Sequence, residues 1–392
     1  MDWPPVLPLS YCTNVHPGQT VSEVLQGLDR HALAARREFN RPLAVGLWLA
    51  APVIAELHQS HDRIRDFAME LTRRDLPCYT LNAFPYGNFH QERVKEQVYL
   101  PDWTTAERRD YTLGCARVLA ALLPEGVDGS ISTVPLGFKE LSDRPDFLNL
   151  CVEQLLATAR QLAVLAQETG RTIRLAIEPE PCCVLETTEE TRTFFRRLFQ
   201  EADEQGLGAI TREHLGVCYD ICHQSVEFED VDQSIRQLAA DGIRINKVHI
   251  TCALELRDPG KNEAARRQLA TFAEPRYLHQ TFAWTREPHG DIIRHVVDLT
   301  PELALDPPEE FQAADCWRIH FHVPVDAETV GELGTTRDDL RRALRAVRDL
   351  PYTPHLEVET YTWGVLPGER KPELSTGLAR ELDATWQLLR AL

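Results

Sequence analysis

The sequence has little that would tie it to nucleic acid, to a membrane or to an oxidising compartment. Lysine is scarce, with five in 392 residues (Lys95, Lys139, Lys247, Lys261, Lys371), and no basic run exceeds a pair such as Arg36-Arg37, Arg73-Arg74 or Arg108-Arg109. Acidic residues outnumber basic ones 60 to 42, for a formal charge of −18. That is the reverse of what a phosphate backbone selects, so nucleic acid is not an expected partner. No uncharged apolar run is long enough to cross a bilayer. The N-terminal stretch MDWPPVLPLSY lacks the basic and apolar regions of a signal peptide. The ten cysteines include no C-x-x-C pair; Cys182 and Cys183 are adjacent, and Cys218 and Cys222 lie four apart. Reduced, buried thiols in a cytoplasmic protein fit this better than a disulfide framework. No G-x-G-x-x-G follows the first candidate strand, which removes the main support for a dinucleotide fold. Internal repeats and low-complexity tracts are also lacking.

What is present is an ordinary globular composition, 43% apolar and 26% charged. Length alone suggests two or three domains, although α/β barrels of this size occur as single units. Short apolar runs recur at 9–14, 43–49, 78–83, 130–135, 172–178, 215–220, 245–251 and 356–361. Amphipathic stretches separate them at 20–39, 52–73, 104–123, 145–168 and 187–205. Thr20 with Glu23, Thr187 with Glu190 and Thr336 with Asp339 have the spacing of helix-opening boxes. Strand then helix, about eight times over, predicts parallel βα units. Between His249 and Glu359 the rhythm breaks, with strand-like runs at 276–284, 291–299 and 317–323. Residues 252–315 are expected to form an insertion or lid between strands seven and eight. The run Trp317–Val323 fits either a barrel strand or part of that lid.

Polar residues decide between an open sheet and a closed barrel. Glu178, Asp220, His249 and Glu359 end strands five to eight, and in a barrel such ends converge on one mouth. A single-domain (β/α)8 TIM barrel over residues 1–392 is therefore predicted. Converging carboxylates repel one another unless a cation neutralises them. A mixed oxygen and imidazole set suits Mn, Mg, Co or Zn, so one divalent metal ion is expected at these four residues. Such an ion polarises a carbonyl while a carboxylate moves a proton. Glu357 shares the parity of Glu359 but lies one layer deeper, where Lys247 is a parity-matched partner. His223 falls within reach of the mouth, as do Asn14 and His16 after strand one and Asn82, Tyr86 and His90 after strand three. His320 and His322, in RIHFHVPV, form either a buried structural pair or a second metal site.

The pattern of Glu on strand five, D-x-x-H on six, His on seven and Glu on eight resembles the xylose-isomerase-like TIM barrels. That superfamily contains sugar isomerases, ketose 3-epimerases and endonuclease-IV-type enzymes. The resemblance implies a metal held by Glu178, Asp220, His249 and Glu359. It further implies proton exchange by Glu178 and Glu359 through an enediolate, with His223 on the substrate. The ketose epimerases carry a substrate-binding Glu and Arg six residues past the first ligand and past the metal His. The counterparts in this chain, Glu186 and Arg257, stand eight residues past. Over residues 9 to 368, the segments LSYCTNVHPG, NAFPYGNFH, VKEQVYLPDW, STVPLGFKE, IEPEPCC and LEVETYTWGVLP resemble EboE-type metabolite traffic proteins. This implies a small-molecule metabolite and partners encoded in the same gene cluster. The combined expectation is an isomerase or epimerase acting on a small polyol or carbonyl metabolite. The alternative is a hand-over protein that keeps the pocket without turnover.

Overall fold

The strand-like runs close into a ring. In the computed structural model, which describes residues 7–367 and 372–392, seven strands appear in order before the rhythm breaks. They are β1 (Ser10–Cys12), β2 (Ala44–Trp48), β3 (Thr80–Asn82), β4 (Gly129–Thr133), β5 (Ile173–Ile177), β6 (Leu215–Asp220) and β7 (Ile245–Ile250). An excursion follows, comprising β8 (Cys252–Arg257), β9 (Thr281–Thr285), β10 (Ile292–Val296), β11 (Cys316–Val323), β12 (Thr329–Val330) and β13 (Leu333–Thr335). The chain then returns as β14 (His355–Val358). Strands β1 to β7 and β14 form a closed parallel barrel in the order β1-β14-β7-β6-β5-β4-β3-β2. The architecture is a (β/α)8 TIM barrel. Residues 1–6, the start of the stretch read for a signal peptide, and Gly368, the end of the resemblance, lie outside the described residues. Among the described residues no helix is long and apolar enough to cross a membrane.

Barrel strands are buried on both sides, as parallel strands covered by helices must be. Outward residues such as Leu47, Leu81, Ile131, Leu175, Val217 and Val248 pack under the helices. The interior is polar at its floor. Lys247 and Glu357, both fully buried, pair with Nζ and Oε1 2.7 Å apart. Ser10 Oγ donates to Glu357 Oε2 at 3.3 Å. Gly46 makes room for this carboxylate, because a Cβ there would stand 1.3 Å from Glu357 Oε2.

Two helix openings follow the sequence signals. Thr20 accepts from the Glu23 amide, and Thr187 with Glu190 forms a complete capping box. Thr336 does not cap its helix; its Oγ1 accepts from Ala253 N at 2.9 Å and ties the helix start to β8. The stretch at 52–73 is two helices, Ala51–Leu57 and His61–Arg73, because Ser60 caps a fresh N-terminus.

The excursion is larger than residues 252–315. It forms a six-stranded antiparallel sheet, ordered β10-β9-β11-β8-β13-β12, that runs on to Thr335. Trp317–Val323 belongs to this sheet, paired with β8 and β9, and not to the barrel. The reason is continuity: β8 starts two residues after β7 ends, so the extended chain leaves the barrel and recruits antiparallel partners.

Candidate metal centre

Each acidic strand end is delivered by its strand. Glu178 follows β5, with its amide bound to Thr133 O at 3.0 Å. Asp220 ends β6 and caps the helix Ile221–Val226, its Oδ1 accepting from His223 N at 3.0 Å. The ladders set His249 beside Asp220 on one side and Glu357 on the other. The His249 ring consequently bridges two layers. Its Nε2 lies 3.2 Å from Glu357 Oε1, and its Nδ1 lies 3.0 Å from Glu178 Oε1 and 3.0 Å from Glu359 Oε2. Glu359 Oε1 accepts from the side-chain amides of Asn14 and Asn82, each at 2.9 Å.

Ligand atoms of Glu178, Asp220, His249 and Glu359 all lie within 4.8 Å of one another, and all four side chains are buried. Metal–oxygen and metal–nitrogen bonds of about 2.0–2.6 Å place ligand atoms at such separations. Glu178 Oε2 and Asp220 Oδ2 are buried without a hydrogen-bond partner. A buried carboxylate oxygen left unpaired is costly, and a divalent cation satisfies both, so these residues fit the ion. The local field runs the same way. Burial drives Glu178 upward, only partly relieved by His249. Burial also opposes ionisation of Asp220 and Glu359, but His223 and His322 around the first and His249 beside the second hold both below the usual carboxylate range. Burial lowers His249, yet Cys218, Glu178 and Glu359 outweigh it and raise the imidazole well above its ordinary value.

A second donor cluster adjoins the first. His223 Nε2 and His320 Nε2 lie 3.1 Å apart, and His320 Nε2 and His322 Nε2 lie 3.2 Å apart. The opposite ring nitrogens face Pro179 O at 2.9 Å, Gln280 Oε1 at 2.6 Å and Glu359 O at 3.1 Å. Donating those N–H groups to oxygen turns the three Nε2 lone pairs on each other, a set that can take a proton or a cation. His320 and His322 come from β11, so the excursion builds part of this mouth.

Both clusters open into a cavity lined by Asn14, Asn82, Glu178, His223, His320, His322 and Glu359. Other sequence candidates are placed elsewhere. His16 is buried beneath the first helix, 3.1 Å from Tyr11 OH and stacked on His31, and does not line the cavity. His90 acts at one remove, with Nε2 2.8 Å from Asn14 O. Tyr86 donates to Glu107 at 2.8 Å. Glu186 pairs with Lys139 and accepts from Cys182 N, outside the mouth. Arg257 is exposed at the end of β8 and pairs with Glu255 at 2.6 Å. Eight residues of spacing carry both side chains past the rim.

Sequence reasoning missed Glu180, Tyr99 and Gln280. Tyr99 OH donates to Glu180 Oε1 at 2.7 Å, and Gln280 Nε2 reaches Tyr99 OH at 3.1 Å. Burial, against the His223 charge and the Tyr99 hydrogen bond, pushes Glu180 up to about 7. The one available signal was its parity with Glu178 in IEPEP; nothing local marks Tyr99 or Gln280.

A closed parallel barrel with Glu, Asp, His and Glu at consecutive strand ends has the xylose-isomerase-like fold. Comparison with solved structures gives the same class. The chain aligns with a xylose isomerase-like TIM barrel protein from Mycobacterium smegmatis in complex with magnesium (TM-score 0.51, 13% identity, 100% of this chain and 99% of that one). It aligns with the IOLI protein with a bound zinc atom (TM-score 0.50, 13% identity, 98% and 99%). An L-ribulose 3-epimerase aligns at TM-score 0.50 and 14% identity, over 97% and 93%. No protein-family model and no curated protein matches the sequence.

Proposed function

We propose that this protein is a divalent-metal-dependent isomerase or epimerase that moves a proton beside a carbonyl in a small polyol or carbonyl metabolite. The observation that carries this reading is the pair of buried, unpartnered carboxylate oxygens, Glu178 Oε2 and Asp220 Oδ2, inside a four-ligand cluster that opens into a cavity. Held by Glu178, Asp220, His249 and Glu359, an ion such as Mn, Mg, Co or Zn supplies Lewis acidity to adjacent substrate oxygens. Through the oxygen that it does not lend to the ion, the Glu178 carboxylate would take the proton from the carbon beside the carbonyl and return it to a neighbouring carbon, with Glu359 as the second acid–base group. Glu359, three barrel places away and fixed by Asn14 and Asn82, holds its oxygens against the substrate from another side. His223 presents Nε2 to a substrate hydroxyl. The metal-bearing and epimerase structures among the fold neighbours support the class, and the EboE-type segments support a place in a metabolite biosynthesis or traffic pathway with partners from the same gene cluster.

Solvent deuterium exchange into a panel of ketoses and other α-hydroxyketones, followed by NMR, tests the chemistry. Metal-loaded wild type exchanges the carbon-bound proton, and Glu178→Gln loses at least ~10²-fold in rate, the usual scale for a general base. Binding without exchange in the wild type would assign a hand-over role instead.

A further inference from the structure

The cavity has two unlike halves. Its floor carries the ligand cluster and a further unpaired acceptor, Asn14 Oδ1, which is buried without a partner. Its walls come from the segment after β3, the turn after β14 and the loop entering β9, the first and last joined where Val94 N and Lys95 N both donate to Arg276 O at 2.8 Å. Phe84, Phe89, Val94, Val98, Leu278 and Tyr361 supply most of that wall. Phe89 packs against Tyr361 at 5.4 Å between ring centroids, and Tyr361 lies 4.6 Å from the His322 ring. The apolar surface therefore begins directly beside the reacting floor.

Polar groups on the wall are already engaged. Lys95 Nζ spends its three donors on Glu274 O at 2.9 Å, Tyr277 O at 2.6 Å and Asp298 Oδ2 at 2.6 Å. Tyr277 OH donates to Phe89 O at 3.2 Å, and Tyr99 OH is bound to Glu180. Among the described residues, the Tyr361 hydroxyl is the one side-chain polar group of the wall with no hydrogen bond. A polyol chain laid along this surface would exchange water for carbon at nearly every hydroxyl, and each unpaired hydroxyl weakens binding by roughly an order of magnitude. A ring or branched alkyl group in the same place gains from burial and from stacking on Phe89 and Tyr361.

We infer that the substrate joins a short oxygenated head, seated on the carboxylate floor, to an apolar, ring-bearing or branched substituent held by the wall. This rests on the proton-transfer reading for the head and extends it to the rest of the molecule. Two probes with the same hydroxyketone head separate the terms: 2-hydroxyacetophenone, whose remainder is a phenyl ring, and erythrulose, whose remainder is a diol. Calorimetry with the metal-loaded protein should give at least tenfold tighter binding of 2-hydroxyacetophenone. Leu278→Ser and the isosteric Val98→Thr, which place a hydroxyl on the wall, should each shrink that ratio several-fold. Equal or tighter binding of erythrulose overturns the apolar assignment and leaves the head chemistry intact. Failure of both probes to bind refutes the hydroxyketone head and the assignment with it.

Discussion

Replacing Lys247 by Met tests whether the barrel floor rests on charge. The Lys247–Glu357 pair is fully buried at 2.7 Å. Burial lowers the ammonium's affinity for its proton, but the neighbouring Glu357 charge more than restores it, so Lys247 stays charged. Removing one member of a buried pair leaves an uncompensated charge and costs about 3–5 kcal/mol. An unfolding entropy of about 2.1 cal/mol/K per residue converts this into a fall in Tm of roughly 5 °C. The double replacement Lys247→Met with Glu357→Leu removes both charges and should recover most of the loss, because a well-packed apolar pair often equals a buried ion pair. Urea titrations and thermal melts of wild type, both single variants and the double variant complete the cycle. They belong in chelator, since Glu357 also touches His249. A Lys247→Met cost below about 1 kcal/mol, or a double variant as weak as the sum of the singles, would refute the reasoning.

Chelation should lower Tm: an ion at 100 times its Kd stabilises the native state by ~2.7 kcal/mol, and Asp220→Asn should abolish the chelator-dependent shift. A reconstituted wild type indifferent to chelator argues against the four-residue centre. Gly46→Ala forces Glu357 from its seat and should cost a similar amount to Lys247→Met, with the two effects strongly non-additive; simple additivity in a double-mutant cycle would separate them. Burial pushes Glu381 up to about 7 despite hydrogen bonds from Thr360, Trp363 and the Val325 amide. The native state then keeps a proton that the unfolded chain releases near 4.5, so stability falls as pH rises between those values, by a total of ~3 kcal/mol. Unfolding free energies of wild type and Glu381→Gln, compared from pH 4.5 to 8, should diverge across that window; parallel curves would count against it.

The barrel was legible because its signals are local. Eight short apolar runs separated by amphipathic stretches dictate βα units, and the two-residue period decides which side chains face inward. The convergence of Glu178, Asp220, His249 and Glu359, and the depth of Glu357 opposite Lys247, follow from that period and from barrel closure. Spacing was a poorer guide once the chain left its strands. Glu186 sits beyond the rim in a loop with no fixed period to aim it, and Arg257 because the chain after β7 runs on as β8 of the second sheet instead of entering a barrel loop.

Tertiary structure alone decided the rest of the mouth. The antiparallel partners of β8 lie up to about 80 residues away in sequence, and non-local pairing leaves no periodic trace that distinguishes a barrel strand from a strand of a second sheet. That pairing takes Trp317–Val323 out of the barrel, turns His320 and His322 toward His223, and brings Gln280 to Tyr99 and Glu180. Sequence by itself determined the carboxylate floor, since strand parity is a property of the backbone. The wall above that floor depended on where a long excursion folded back, and only the packed chain determines that.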